Sequence, residues 1–432
     1  MIGVLSLKGL ISMQVLQFSD ISMMLQNTIC SADFFFSMRT KATAFTRNRT
    51  LSMRDILYFI MGSKNKALQT ELDEFQEAKG GALVTRQAFS KARENIDARI
   101  FEYLNYKLIK KYETEEANVK TYKGYRLLSG DASLIDLPNT PELREIYGYS
   151  SCGNSEKTYA KARAMTIYDV LNDLTISAKL LSYNDGERTK IHTFADELKA
   201  QGWYDKSILL LDRGYPSFDL YHQLIEYGMN FVIRLDGCNQ QKEFEEIKEG
   251  EAVVQVKGKR KRTVTLRVVN IKLDSGIQEK LVTNLPTVFD AQELKKLYAM
   301  RWEIETSYDK LKNKLCVEIF TGETPTAIYQ DFFAGILLMN MASFALREQQ
   351  DVIDEGDKEK NLKQSYQPNV KKLIYDIKTN LVALFSSTNL LSTMYYKLMS
   401  YQYIKRFAVH SSAKKSFPRY FGFHKSHCKT PF

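Results

Sequence analysis

Three carboxylates, Asp131, Asp212 and Glu305, sit in sequence settings where an acid can do chemistry. Asp131 lies inside the alternating run YRLLSGDASLIDLP, and Asp212 closes the apolar run SILLL directly before Arg213, Gly214, Tyr215 and Pro216. A carboxylate at the C-terminal end of a buried strand occupies the usual place of an α/β active site. Taken alone, Asp212 could instead cap a following helix and Asp131 could belong to a turn. Glu305 falls in YAMRWEIETSYDKLK, where at about 100° per residue Tyr298, Arg301, Glu305 and Lys312 project within roughly 60° of one another. Beside that polar stripe, Leu297, Ile304, Leu311 and Leu315 form an apolar stripe that would bury the helix against a sheet. The plain alternative is a surface helix with an Arg301 to Glu305 pair at four spacing.

The elements around these residues define an α/β chain. From residue 1 to about 118 the pattern is helical, with SMRDILYFIMG and RENIDARIFEYLNYKLI carrying apolar residues at three and four spacing. Ser52 is a natural N-cap. Two basic pieces, FTRNR and VTRQAFSKAR, border these helices, and a helix carrying Arg86, Gln87, Lys91 and Arg93 could lie against DNA or simply face water. Near Tyr122 the texture changes to alternation, and YRLLSGDASLIDLP, RAMTIYDVLND and LTISAKLLSY read as three consecutive antiparallel strands. A helix over 188–199, a buried strand over 207–211, a helix over 218–227 and a strand over 230–235 follow. Three strands, helix, strand, helix, strand is the order of a ribonuclease-H-like core, in which the strands of Asp131 and Asp212 are neighbours.

A β-rich insertion is expected over about 237–285, with Lys257, Lys259, Arg260, Lys261 and Arg262 on a basic hairpin turn, either a phosphate contact or a solvated turn. Helix returns from 290, including a buried one over 326–347, and DEGDKEKNLKQ reads as a linker. The division expected is a helical DNA-binding region over 1–118, a catalytic core over 119–347, and a linker with basic C-terminal helices over 348–432.

With 432 residues, a hydrophobic fraction of 44% and a formal charge of +10, the chain can fill real cores and favours a polyanionic partner. Beyond residue 360 roughly a dozen Lys and Arg face one acid, Asp376. Five scattered cysteines without a Cys-x-x-Cys pair indicate neither a disulfide framework nor a zinc ribbon and fit a reducing cytoplasm. His424, His427 and Cys428 lack a fourth ligand nearby. FFAGILLMNMASFAL, interrupted by Asn340 and Ser343, is too short to span a membrane. MIGVLSLKGLISMQVLQF makes a poor signal peptide.

Tyr298, Arg301, Glu305 and Lys312 match without a gap the Tyr-Arg-Glu-Lys motif of the bacterial insertion-sequence transposases of the type-four family. DASLIDLPNT resembles that family's first-Asp block and DRGYPSFDLYHQL its second, while FTRNRTLSMRDILYF and VTRQAFSKAR resemble its N-terminal region and SFPR its C-terminal end. Ala132 stands where the family usually has Gly. Relatives with a developed β insertion can hold a flipped base with an insertion Trp, whereas Trp203 and Trp302 both lie outside the insertion here and Phe244 is the weak substitute within it.

The resemblance implies a DDE transposase that cuts at the terminal inverted repeats of an insertion sequence and joins the 3′-hydroxyls to target DNA. It implies two Mg2+ or Mn2+ ions, with Asp131 bridging both and Asp212 and Glu305 each holding one. Tyr298, Arg301, Lys312 and Arg213 are then expected on DNA phosphates. Double-stranded DNA, a homodimer on paired ends and a cytoplasmic, nucleoid-associated location complete the expectation. A metal-dependent nuclease of the same fold and a non-catalytic DNA-binding host factor or repressor are the alternatives. A glycosidase would want a Trp-rich cleft and no basic surplus.

Overall fold

The computed structural model describes residues 16–408 apart from 116–118, 153–154, 236–243, 245–246, 248, 273–275, 277, 361, 363 and 387. The cluster at His424, His427 and Cys428, the SFPR segment and the rest of 409–432 lie outside the described residues.

The N-terminal part is helical as expected: α1 (Phe18–Cys30), α2 (Ala32–Ser37), α3 (Met53–Gly62), α4 (Leu68–Lys79), α5 (Arg86–Arg93) and α6 (Ile100–Thr114). Ser52 caps α3 in a reciprocal pair with Asp55, and Thr85 caps α5, which satisfies backbone donors that a helix start leaves open.

A large mixed sheet follows. β1 (Arg126–Asp136) leads through α7 (Pro141–Tyr147) to β2 (Tyr149–Cys152), β3 (Ser155–Asp169) and β4 (Leu174–Ser182). Next come α8 (Glu187–Ala200), β5 (Ser207–Leu211), α9 (Phe218–Glu226) and β6 (Asn230–Arg234). β3 pairs antiparallel with both β1 and β4, whereas β5 pairs parallel with β1 and with β6. The strand, helix, strand order anticipated from residue 122 onward is therefore present, with α7 and β2 as an unforeseen addition. β5 is buried along its whole length, as an all-apolar run between two parallel neighbours must be.

The insertion is a continuation of this sheet. β7 (Glu251–Lys257) and β8 (Thr263–Lys272) form the hairpin, and β9 (Gln278–Thr283) joins it antiparallel to β6. Phe244, the aromatic candidate for holding a base, is buried against Tyr221 at 6.4 Å between ring centroids and presents no free face.

After α10 (Ala291–Met300) and α11 (Glu303–Asp309), a helix of 35 residues, α12 (Pro325–Glu359), runs through the helical layer. Its middle is buried, and Asn340 bridges elements by accepting from the Thr175 backbone N–H at 2.8 Å and donating to Asn105 at 2.7 Å. The expected linker over 354–364 is corrected here, since α12 continues to Glu359 and the expected boundary at 347–348 falls inside it. Strong helix formers and no Pro in that stretch allow it, and Ile353, Gly356 and Asp357 have packing or ion-pair partners. α13 (Val370–Thr379), α14 (Leu381–Ser386) and α15 (Thr388–Met399) close the bundle, and β10 (Tyr366–Pro368) pairs with β11 (Arg406–Ala408). Among the described residues no helix is long and apolar enough to cross a membrane. Cys316 is disulfide-bonded, which corrects the expectation of no disulfide at that position.

Candidate active site

The register of β1 and β5 places Gly130 beside Leu211, so the next residue on each strand, Asp131 and Asp212, stand side by side. Glycine at 130 leaves room for its neighbours, since a Cβ there would come within 2.8 Å of the Leu211 side chain and 3.3 Å of Ile191, which would have to shift. Asp131 sits within the strand and not in a turn, opposite Thr166 of β3. Asp212 does not cap α9, since Ser217 does so. Both structural alternatives for these acids are thereby removed.

The third acid reaches the site through a broken helix, a correction to the single straight helix expected. The chain turns tightly at Arg301 and Trp302, where N–H groups bond three residues back, and a π-turn at Lys310–Lys314 follows α11. The apolar stripe survives these breaks, with Leu297, Ile304, Leu311 and Leu315 all buried. Lys312 is carried to the far end of β1, where it donates to the Leu134 carbonyl and lies 3.7 Å from Glu318.

Arg301 organises the carboxylates. Its side chain is 2% exposed, its Nη2 donates to Glu305 at 3.0 Å, and its Nη1 lies 3.9 Å from Asp131. It also acts electrostatically on Asp212, whose Oδ1 accepts the Tyr298 hydroxyl at 2.9 Å. Nε and Nη1 of Arg301 have no hydrogen-bond partner. The expected phosphate ligand thus faces the acids in this structure, and Tyr298 does the same.

The two aspartates differ in electrostatics. Burial pushes Asp131 up to about 6, with Glu187 and Glu305 adding to the shift and the Ala132 N–H and Arg301 opposing it. At Asp212 burial acts upward too, but the Arg213 N–H, Arg301, Tyr298 and Arg234 outweigh it and hold the carboxyl below its ordinary value. Sequence reasoning missed the groups behind these acids. The Tyr308 hydroxyl lies 2.9 Å from the Asp131 carbonyl oxygen, and the Tyr215 hydroxyl is buried near Asp131 and Glu187 without a partner. The Gly-Tyr pair after Asp212 was the available signal for Tyr215.

Arg213 is exposed beside Asp212. At the hairpin tip Lys259, Arg260 and Lys261 project into solvent, while Arg262 pairs with Asp219 at 2.7 Å. Gly258 lies against the Phe218 ring, where a Cβ would come within 2.1 Å, so the tip is fastened to the start of α9. Arg93 leaves the expected DNA-facing set, because it is buried and bonded to Gln330, Thr321, Asp331 and the Ala327 carbonyl. Among the described residues no three acidic, His or Cys groups are gathered tightly enough to hold one metal ion; Arg301 lies among these three.

A family described as the transposase DDE domain matches residues 122–341, half of the chain. The putative transposase InsZ of Escherichia coli (strain K12) is 25% identical over 152 residues, 35% of this chain and 49% of that protein. The transposase InsG for insertion sequence element IS4 of the same organism is 22% identical over 237 residues, 52% of each. The chain thus spans about half the length of the curated relatives it matches. The cryo-EM structure of a piggyBac transposase synaptic complex with hairpin DNA aligns at a TM-score of 0.46 and 12% identity, covering 88% of this chain and 85% of that one. By the match that spans all three carboxylates, this chain belongs to the transposase DDE-domain family.

Proposed function

We propose that the chain is a DNA transposase that binds the terminal inverted repeats of an insertion sequence, cleaves phosphodiester bonds at its ends and joins the 3′-hydroxyls to target DNA. The observation that carries this reading is that Asp131 and Asp212 follow a registered pair of parallel-strand residues, while one buried arginine, Arg301, pairs with Asp131 and Glu305 and acts electrostatically on Asp212. The strand order supports a ribonuclease-H-like core.

The donor set fits hard divalent cations, being all carboxylate oxygen, and its hold on a buried guanidinium marks it as a site that calls for positive charge. Asp131, Asp212 and Glu305 would hold a pair of Mg2+ or Mn2+ ions. Such ions supply activation of a water or 3′-hydroxyl and neutralisation of the leaving oxygen. In the protein's own part, Tyr298 fixes the Asp212 carboxylate, the Ala132 N–H fixes Asp131, and Arg301 pairs with Asp131 and Glu305. Arg213 and, at the hairpin tip, Lys259, Arg260 and Lys261 are exposed and would take phosphates. DNA is the partner, a homodimer the working unit on two ends, and the cytoplasm with its nucleoid the location.

The test is Mg2+-dependent end cleavage and strand transfer on DNA carrying the element's own flanking ends, comparing wild type with Glu305→Ala. Loss of cleavage with binding retained is expected. Equal binding by both proteins, with no cutting in Mg2+ or Mn2+, would replace this reading with the DNA-binding factor.

A further inference from the structure

A second cationic site lies in the helical part of the molecule. Between α2, α3 and the end of α5 the loop after Met38 borders an open cavity of about 720 Å3. Lys41, Arg47 and Arg49 line it together with Thr43, Asn48 and Phe45. All three cationic residues are exposed, and among the described residues none of their side chains meets an acid or a hydrogen-bond acceptor. The nearest acid on α3, Asp55, is already used by Ser52 and by Lys79 at 2.5 Å.

The loop is held in shape from behind. Arg39 donates to the carbonyls of Ala42 and Ala44, both at 2.9 Å, and its guanidinium stacks on Phe35 and Phe36 at 4.7 and 4.8 Å. The loop is also tied to the chain after α5, through Thr40 N–H to Asn95 O at 3.0 Å and Asp97 N–H to Met38 O at 2.9 Å. Phe45 sits at φ 57, a left-handed conformation that a bulky side chain keeps only where its surroundings dictate it. One arginine is thus spent on fixing the backbone while three cations are left facing an open cavity. A solvated basic loop needs no such framework; a site prepared for an anion does.

Resting on the transposase reading, we infer that this cavity binds consecutive phosphates of the DNA backbone, with Lys41, Arg47 and Arg49 as the charge and Thr43 and Asn48 as neutral hydrogen-bonding groups. It is a positioning site separate from the carboxylates. Phosphates are favoured over an acidic peptide because the cations are grouped around one concave space rather than spread along a groove.

The probe is a fluorescein-labelled 30-base-pair duplex carrying the element's end, titrated with full-length Glu305→Gln protein without metal over a range of NaCl concentrations. Each phosphate contact contributes about 0.9 to the slope of log affinity against log salt. The variant with Lys41→Gln, Arg47→Gln and Arg49→Gln is expected to lose about 2 to 3 from that slope and at least about tenfold in affinity at low salt, with an unchanged circular dichroism spectrum and melting temperature. A control with Lys107, Lys110 and Lys111 changed to Gln on α6 separates a local contact from lowered net charge. An unchanged slope, or an equal loss in the control, overturns the inference. So does loss of binding to a labelled poly-glutamate peptide with duplex binding intact, which would assign the cavity to an acidic protein. If wild type cuts DNA and Glu305→Ala does not while the slope is unchanged, only the cavity assignment falls. If the slope changes but wild type never cuts, the cavity assignment stands and strand transfer falls.

Discussion

Three carboxylates drawn together in a partly buried site repel one another, and Arg301 offsets that repulsion without being fully bonded itself. Removing it leaves the acids uncompensated. Metal-free Arg301→Met is therefore expected to be less stable by about 3 kcal/mol, the scale of breaking a buried ion pair. Added Mn2+ should raise its melting temperature more than that of wild type; an equal rise in both would show that Arg301 and the ions do not neutralise the same acids. The raised Asp131 supplies a pH dependence with a definite sign. A carboxylate ligand must lose its proton, so metal affinity and end cleavage should fall as pH drops below about 6, approaching tenfold per unit. A profile flat from pH 7 to 5, measured by Mn2+ binding as well as by cleavage, would remove Asp131 from the ligands.

At the scale of elements, residues with the same sequence signature part ways. VTRQAFSKAR offers Arg86, Lys91 and Arg93 on one short helix, yet only the first two are exposed. Arg93 ties α5 to the start of α12 through four partners, with Asp331 at 2.6 Å. Arg93→Met should destabilise the protein by about 3 to 5 kcal/mol, read by denaturant unfolding. Asp331→Asn in the same chain should recover part of the loss, which a DNA-contact role for Arg93 would not produce. The helix of Glu305 shows the same lesson. Its apolar stripe could be read from spacing, but the tight turn at Arg301 and the π-turn at Lys310–Lys314 depend on where Leu311 and Leu315 find room in the core.

For the whole molecule, the described part of the N-terminal segment outside the family likeness is structural. Phe18, Ile21, Leu25 and Ile29 of α1 are buried in the core shared with α6, α12, α14 and α15. Four such side chains at about 1.5 to 3 kcal/mol each amount to much of the net stability of an ordinary domain. Deletion of residues 1–31 is expected to yield aggregated or poorly packed protein, seen in soluble yield and near-ultraviolet dichroism. A soluble, cooperatively melting deletion that binds the duplex would show that this segment is dispensable to the fold.

Sequence alone determined what depends on local period and residue chemistry. The strands around Asp131 and Asp212, the buried strand at Ser207–Leu211, and the apolar stripe at Leu297 and its heptad partners were all legible, because alternation and heptad spacing are written along the chain. Only the tertiary structure decided which charges face inward. Arg93 and Arg301 read as surface cations, and both are buried because acids distant in sequence, or across a broken helix, meet them in three dimensions. The same holds for the expected linker at 354–364, polar enough to read as a loop yet helical to Glu359 because Tyr401 and Arg406 fold back onto Gly356 and Asp357. Long-range pairing of charge and packing has no period, and so it leaves no mark that a single sequence can show.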